Sequence, residues 1–383
     1  MQTAFTFQTT RAILSETGAT AKIGELAKGL GMTRAAFVTD KGILAAGIAG
    51  PAMESLKEAG IAVILIDHVV PDPPEAMILR AAAFAREKRV DGVISVGGGS
   101  SLDAAKLVSV LAISDQPIET MYGIGNVKGG RLPLILAPTT AGTGSEVTPI
   151  SIVTTGAAEK KGVVSPQLFP DWAVLDAELT VGLPAAVTAA TGIDAMVHAI
   201  EAYTSRHKKN VMSDALARQA LGLLGANIRT VCAEPGNREA RGAMLLGSML
   251  AGMAFANAPV AAVHALAYPL GGHFHVPHGL SNALVLPHVL RFNMPEAAGL
   301  YAEIAPLAFP ELAGARDGAA AMAEAFGRLG PELGMQSRLS EVGVSHNHIP
   351  MLAEDAMKQT RLLVNNPREM TLEAAQAIYE AAL

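Results

Sequence analysis

The sequence predicts two domains of different class, an α/β domain with a parallel sheet over residues 1–182 and an all-α domain over residues 183–383. Three observations predict this. A chain of 383 residues exceeds the size at which a single core stops growing. Its first half alternates short β-type runs with helix-type runs, the order of parallel βαβ units. Beyond Gly182 the strand signal ends, and Ala, Leu and Met recur at three- and four-residue spacing.

In chain order, AAFVTD, closing at Asp40, reads as a strand and is followed by a helical stretch to Ala59. IAVILID and DGVISV are the next strands, each followed by a helix, AMILRAAAFAREKR and LDAAKLVSVLA. LPLILAP, PISIVTT and WAVLDAEL carry strand character to Leu179, and GLPAAVTAAT opens the helical part. There is no internal repeat and no low-complexity tract.

Composition narrows the partners. Half of the residues are hydrophobic and 17% are charged, which excludes a disordered chain, and 4% aromatics point to a core of Ala, Val, Leu, Ile and Met. The balance of 29 basic against 35 acidic residues, without a Lys/Arg block, favours small molecules over nucleic acid or an anionic membrane. The single cysteine, Cys232, has no internal partner and reads as a buried, inert thiol of a reducing compartment. The opening MQTAFTFQTTRAILSETG lacks the features of a secretory signal, so a cytoplasmic location is expected. From Gly242 to Leu290 there is no Asp, Glu, Lys or Arg, and AMLLGSMLAGMAFANAPVAAV within it is long enough to raise a membrane span. Asn257, Pro259 and the histidines that follow favour a buried core helix leading into a polar loop.

Two loops carry chemistry in the first half. Gly97-Gly98-Gly99-Ser100-Ser101 joins an apolar strand to a helix starting at Leu102. Glycines there admit a ligand close to the backbone, and the free N–H groups of the helix start suit a pyrophosphate; the alternative is a tight turn capped by Ser100 or Ser101. A second small, hydroxyl-rich loop, Pro138 to Glu146, also follows a buried-type strand. Two such loops at strand carboxyl ends form a nucleotide cleft. Asp40 is placed to accept from the ribose hydroxyls of NAD and to repel the 2′-phosphate of NADP, or else it caps the next helix.

In the second half, Asp194 and His198 stand four apart in an apolar helical segment, on one face. A pair of this kind is commonly a surface or capping interaction, but its apolar neighbours would leave it unpaired in a core. Downstream lie His264, His273, His275, His278 and His288. Asp194, His198, His264 and His278 make a set that holds a divalent cation with an open position, and Fe(II), Zn(II), Mn(II) and Ni(II) are all compatible with it.

These segments resemble the iron-containing (group III) alcohol dehydrogenase family over essentially the whole chain. The matching motifs are GGGSSLDAAK at 97–106, PTTAGTGSEVT at 138–148, SPQLFPDWAVLDAELTVGLP at 165–184, TAATGIDAMVHAIEAY at 188–203, HALAYPLGGHFHVPHG, and NNPREMT at 365–371. The resemblance implies a dehydroquinate synthase-like architecture, an NAD-binding α/β domain and a helical metal domain with a cleft between them. It implies Asp194, His198, His264 and His278 as ligands of Fe2+, with Zn2+ or another divalent metal as the alternative. It also implies Asp40, Gly97, Gly98, Gly99, Ser100, Asp103, Thr139, Thr140, Ser145, Lys160 and Leu179 as the cofactor set, for NAD(H) in preference to NADP(H).

One departure matters. Many members carry a second His four residues after the third ligand, whereas this chain has Tyr268, so Tyr268 and His275 are the candidates for proton relay. The implied reaction is hydride transfer between a primary alcohol or aldehyde and nicotinamide. The HALAYPLGG…HVPHG variant is similar to 4-hydroxybutyrate dehydrogenase and hydroxyacid–oxoacid transhydrogenase, which makes a carboxylate-bearing alcohol the alternative substrate, with His273 and His275 helping to bind the anion. The rivals are a lyase on the same scaffold, like dehydroquinate synthase, and a nucleotide-binding regulator without turnover. The uncharged helices also suggest a homodimer.

Overall fold

The computed structural model describes residues 4–156 and 159–383. Two compact units result, one comprising Gln8–Thr140 and Gly144–Val181, the other Gly182–Leu383 together with Ala141–Thr143 and the described residues before Gln8. A single cut near Gly182 therefore leaves out two segments of the helical unit, the described residues before Gln8 and three residues of the second loop.

The strands are β1 (Ala12–Ser15), β2 (Arg34–Val38), β3 (Ala62–Ile66), β4 (Gly92–Gly97), β5 (Gly123–Ile124), β6 (Leu134–Pro138), β7 (Ile150–Thr155), β8 (Glu159–Val164) and β9 (Trp172–Leu175). Six of them form one sheet in the order β1-β9-β6-β4-β2-β3, parallel throughout. The helices of this unit are α1 (Ile23–Gly29), α2 (Lys41–Ala45), α3 (Gly50–Glu58), α4 (Glu75–Glu87) and α5 (Gly99–Leu111). Strand β2 shows why the sheet is covered on both faces. Ala36 and Val38 join Met77, Ile78, Leu107 and Val108 of α4 and α5, while the alternate residues Ala35 and Phe37 join Ile23 and Leu56 of α1 and α3.

Strands β3 and β4 lie on opposite sides of β2. The chain reverses its direction of winding there, and a doubly wound sheet opens a crevice at the strand carboxyl ends at such a point. Asp40 and Gly98 stand at the ends of β2 and β4.

PISIVTT departs from expectation. It becomes β7, which pairs antiparallel with β8 in a separate three-stranded sheet whose third member, β5, runs parallel to β8. Strand β8, EKKGVV, is charged and interrupted by glycine, and β1 is a four-residue edge strand. Both carry too little period-two apolar pattern to be read from sequence.

The second unit is helical: α6 (Ala185–Thr204), α7 (Val211–Ala233), α8 (Arg238–Asn257), α9 (Ala262–Phe274), α10 (His278–Ala308), α11 (Gly318–Glu332), α12 (Ile349–Met357), α13 (Thr360–Leu363) and α14 (Leu372–Ala382). Helix α6 is the axle of this unit: it packs against α7, α8 and α10 and is buried without interruption from Gly192 to Thr204. Asn210 caps α7 through a reciprocal box with Ser213, and Asn237 caps α8 through the Ala240 N–H.

Among the described residues no single helix is long and apolar enough to cross a membrane; α8 and α9 pass that test only as a pair bent by 106°. Most of α8 is buried within this unit, as the core-helix reading expected.

Candidate metal centre and nucleotide pocket

Asp194 and His198 project from the buried stretch of α6 and are 2% and 5% exposed. His264 enters from the first turn of α9, 2% exposed, and with them forms a group whose potential ligand atoms all lie within 4.8 Å of one another. His278, the first residue of α10, reaches the group through Asp194: its Nε2 is 3.6 Å from Asp194 Oδ1, against 3.8 Å for the Nε2 of His264. Two ligands about 2.1 Å from a common ion in near-tetrahedral array stand roughly 3.4 Å apart, so these separations fit one cation.

The imidazoles are aimed from behind. The Nδ1 of His198 donates to the Gly142 carbonyl at 3.1 Å, and the Nδ1 of His264 donates to the Glu201 carboxylate at 2.6 Å. Each bond fixes the tautomer and turns Nε2 toward the site. Burial, reinforced by the His264 ring, holds the pKa of His198 well below that of a free imidazole, so it stays neutral and able to ligate. Its ring is sandwiched between Phe255, 4.3 Å between centroids, and His264, 4.7 Å.

Asn282, one turn after His278 on α10, donates from Nδ2 to Asp194 at 2.5 Å and faces the Nε2 atoms of His264 and His278 at 3.4 and 3.3 Å. Its Oδ1 is buried and has no partner among the described residues. Close approach of backbones makes this convergence possible. A Cβ on Gly279 would stand 2.2 Å from the Ala190 carbonyl oxygen, and one on Gly142 2.7 Å from the Thr191 Cβ, so glycine alone lets these segments lie against α6.

The charge balance points the same way. Asp194 and Glu201 are buried carboxylates, and neither has a Lys or Arg partner among the described residues. Two formal negative charges in a dry site are costly unless compensated, and one divalent cation compensates both. The donor chemistry and the charge both fit a divalent metal.

Tyr268 is half-buried on α9 with its ring centroid 5.9 Å from that of His278, beside the ligand set. His275 is exposed, and its backbone forms the left-handed cap of α9 at φ 55°; no described contact joins it to the ligands. His273 donates to Asp355 at 2.5 Å, and that carboxylate also holds Lys358. An imidazole already facing a carboxylate is poorly placed to receive a substrate anion, because the like charge opposes it. Cys232 is half-buried and not buried as the sequence suggested, and what burial it has raises its thiol pKa.

In the first unit, a cavity of about 560 Å³ lies at the carboxyl ends of β2, β3 and β4, where the sheet topology opens its crevice. Asp40, Asp67, Gly98, Gly99 and Ser100 all line it. Asp40 caps α2, one oxygen accepting from the Ile43 N–H at 3.0 Å, and the residue also borders the cavity. Gly97 ends β4, and its carbonyl accepts from the Thr139 N–H at 3.0 Å, so the two loops are hydrogen-bonded neighbours. Thr139 is buried and Thr140 half-buried, its methyl 3.9 Å from where a Cβ on Gly98 would lie. Lys160 forms an ion pair with Asp72. Leu179 packs in the apolar cluster beneath the sheet, 3% exposed.

Asp103 and Ser145 hold the two loops together. Lys106, fully buried, donates from Nζ to Ser145 Oγ at 2.8 Å, to Thr148 Oγ1 at 3.1 Å and to the Ile150 carbonyl at 2.7 Å. Ser145 Oγ donates to Asp103 Oδ1 at 2.5 Å, and the Ile152 N–H donates to Asp103 Oδ2 at 2.9 Å. Burial lowers the Lys106 pKa to about 8 and raises that of Asp103.

Glu146, next in the loop, is 1% exposed with its Oε1 unpartnered, and burial raises its pKa from 4.5 to about 7. The folded protein thus keeps a proton that the unfolded chain releases, so ionisation of Glu146 erodes stability as pH rises from about 4.5 to 7. Glu146→Gln removes that loss. Its stability gain over the parent, read from denaturant midpoints, is expected to be larger at pH 8 than at pH 4.5 by on the order of 2–3 kcal/mol; equal gains at both pH values contradict this assignment.

Comparison with known proteins shows the family. Residues 10–177 match the family described as iron-containing alcohol dehydrogenase, and residues 188–383 match the Fe-containing alcohol dehydrogenase family, C-terminal. Long-chain-alcohol dehydrogenase 1 of Geobacillus thermodenitrificans is 40% identical over 93% of this chain and 91% of its own. A crystal structure of a 1,3-propanediol oxidoreductase superposes with a TM-score of 0.95 at 36% identity, covering 99% of this chain and 100% of that one. Sulfoacetaldehyde reductase from Bifidobacterium kashiwanohense, solved in complex with NAD+, does so at 0.89 and 30% identity, covering 100% and 99%. With both halves matched, the chain belongs to the iron-containing alcohol dehydrogenase family and is an oxidoreductase.

Proposed function

We propose that this enzyme interconverts a small primary alcohol and its aldehyde with NAD(H), using Fe2+ held by Asp194, His198, His264 and His278. The observation that carries the reading is the buried Asp194–His198–His264 group with Glu201 behind it, two carboxylates that no Lys or Arg balances among the described residues. A divalent cation held by these four residues would supply Lewis-acid polarisation of an alcohol or aldehyde oxygen, and NAD(H) held in the first unit would supply the hydride acceptor or donor. The protein's share is positioning. Gly142 and Glu201 fix the two imidazoles, Phe255 holds the His198 ring, and Asn282 holds the Asp194 carboxylate. Tyr268, beside His278, is the better placed of the two relay candidates, since a phenol both donates and accepts.

Asp40 and Asp67 in the lining of the cavity support NAD over NADP, because two carboxylates there repel a 2′-phosphate. Asp40→Ser is expected to raise the ratio of kcat/KM for NADP to that for NAD by on the order of tenfold, measured with one alcohol; an unchanged ratio removes Asp40 from cofactor choice.

The substrate test is absorbance at 340 nm with anaerobically Fe(II)-loaded enzyme, NAD and a panel of ethanol, longer alcohols, 1,3-propanediol and 4-hydroxybutyrate. NADH formation with the uncharged alcohols supports the reading. Preference for 4-hydroxybutyrate over 1-butanol moves the enzyme to the anionic branch, where the likeness to a sulfoacetaldehyde reductase points although the His273–Asp355 pair does not. A flat trace with metal content verified and NADH binding intact overturns the reading.

A further inference from the structure

Beyond the four ligands, we propose that Glu201 is a positioning residue of the metal centre, which sets cation affinity by fixing His264 in place and in rotation. The inference rests on the metal reading given under Proposed function. Glu201 lies seven residues after Asp194 and three after His198, so all three stand on one face of α6. It is 4% exposed, and both of its oxygens are engaged at the start of α9. Oε1 accepts from the Val263 N–H at 2.7 Å, and Oε2 accepts from His264 Nδ1 at 2.6 Å.

Helix α9 has no cap of its own. Its N-cap residue, Ala261, offers no side-chain acceptor, and the first-turn N–H groups of a helix need one. Glu201 supplies it from 62 residues away in sequence. A carboxylate at a helix N-terminus is also favoured by the helix dipole. One side chain therefore anchors the helix that carries His264 and orients the ring of His264 within it. Acceptance from Nδ1 leaves the Nε2 lone pair facing Asp194 and makes that nitrogen a stronger donor to a cation.

The same contact has an electrostatic side. The negative charge of Glu201 meets no Lys or Arg among the described residues, so a cation on the far nitrogen of His264 is what balances it. Glu201 thereby favours the loaded protein over the unloaded one. A purely structural cap would stabilise both forms alike.

The experiment uses the full chain, stripped of metal by chelation and titrated with Zn2+ and Co2+ against a competing chelator, for the parent, Glu201→Gln and Glu201→Asp. Glutamine can accept from His264 or from Val263 but not from both, and aspartate is one methylene short. Glu201→Gln is expected to weaken Zn2+ affinity 10- to 100-fold, the range for a lost outer hydrogen-bond partner, with Glu201→Asp between it and the parent. The visible absorption of the Co2+ protein is expected to shift in both variants. Unloaded Glu201→Gln is expected to melt no lower than the unloaded parent, while loaded Glu201→Gln melts below the loaded parent; this comparison separates positioning from a general loss of fold.

Affinities within twofold of the parent together with an unchanged Co2+ spectrum overturn the proposal and leave the metal site standing. Equal destabilisation of loaded and unloaded forms also overturns it, as the mark of a cap alone. A parent that takes up no Zn2+, or takes it up equally well as Asp194→Ala, overturns the metal reading and this proposal with it.

Discussion

Asp194→Ala is expected to lose cation binding and to lower kcat/KM for alcohol oxidation by on the order of 10³-fold or more, the equivalent of about 4 kcal/mol of transition-state stabilisation. The basis is geometric. Asp194 Oδ1 is the point from which His264 and His278 are 3.8 and 3.6 Å away, and Asp194 supplies the ligand set's one anionic donor. Without it the imidazoles remain, but the attraction of a carboxylate for a dication in a dry site is gone. Stability should move in the opposite sense in the unloaded protein, because a buried carboxylate without a cationic partner has been removed. Steady-state kinetics with metal content measured on the same sample checks both parts. Full turnover by a variant verified to hold metal would show that chemistry proceeds elsewhere.

Lys106→Met is the second large effect, expected in stability and in cofactor binding. Lys106 has no exposed surface, and its ammonium lies 3.7 Å from the Asp103 carboxylate while donating to Ser145, Thr148 and the Ile150 carbonyl. Methionine fills the same space but leaves Asp103 without its cation. Removing one partner of a buried pair costs about 3–5 kcal/mol. The loss should appear as a lower denaturant midpoint, and as weaker NADH binding because the Gly97–Ser101 loop and the 138–146 loop are no longer tied at their base. The double variant Lys106→Met with Asp103→Asn is expected to recover part of the stability. If the single variant keeps both the midpoint and the NADH affinity of the parent, the network is ornamental to the fold.

Much of this architecture was legible in the sequence, for identifiable reasons. The parallel sheet announced itself through fully buried strands such as DGVISV and LPLILA, whose continuous apolar runs need no partner to be recognised. Asp194 and His198 stood out because polar groups one turn apart in an apolar helix require an explanation. Residues that act through tertiary contact were not legible in the same way. Glu201 caps a helix 62 residues later, and the Asp355 that occupies His273 lies 82 residues beyond it, so neither pairing leaves a mark in local spacing. The signal for Glu201 and Asn282 was nevertheless present as helical period, three residues after His198 and four after His278. Strands β1 and β8 escaped because one is a short edge and the other charged, and the second sheet escaped with them.

The central claim is that one divalent cation is held by Asp194, His198, His264 and His278. Diffraction at the iron K edge from crystals of enzyme loaded anaerobically with Fe(II) tests it most directly. The account predicts a single anomalous peak roughly 2 Å from Asp194 Oδ1 and from the Nε2 atoms of the three histidines. A full-occupancy peak at any other set of residues, the exposed His273 and His275 included, would contradict it.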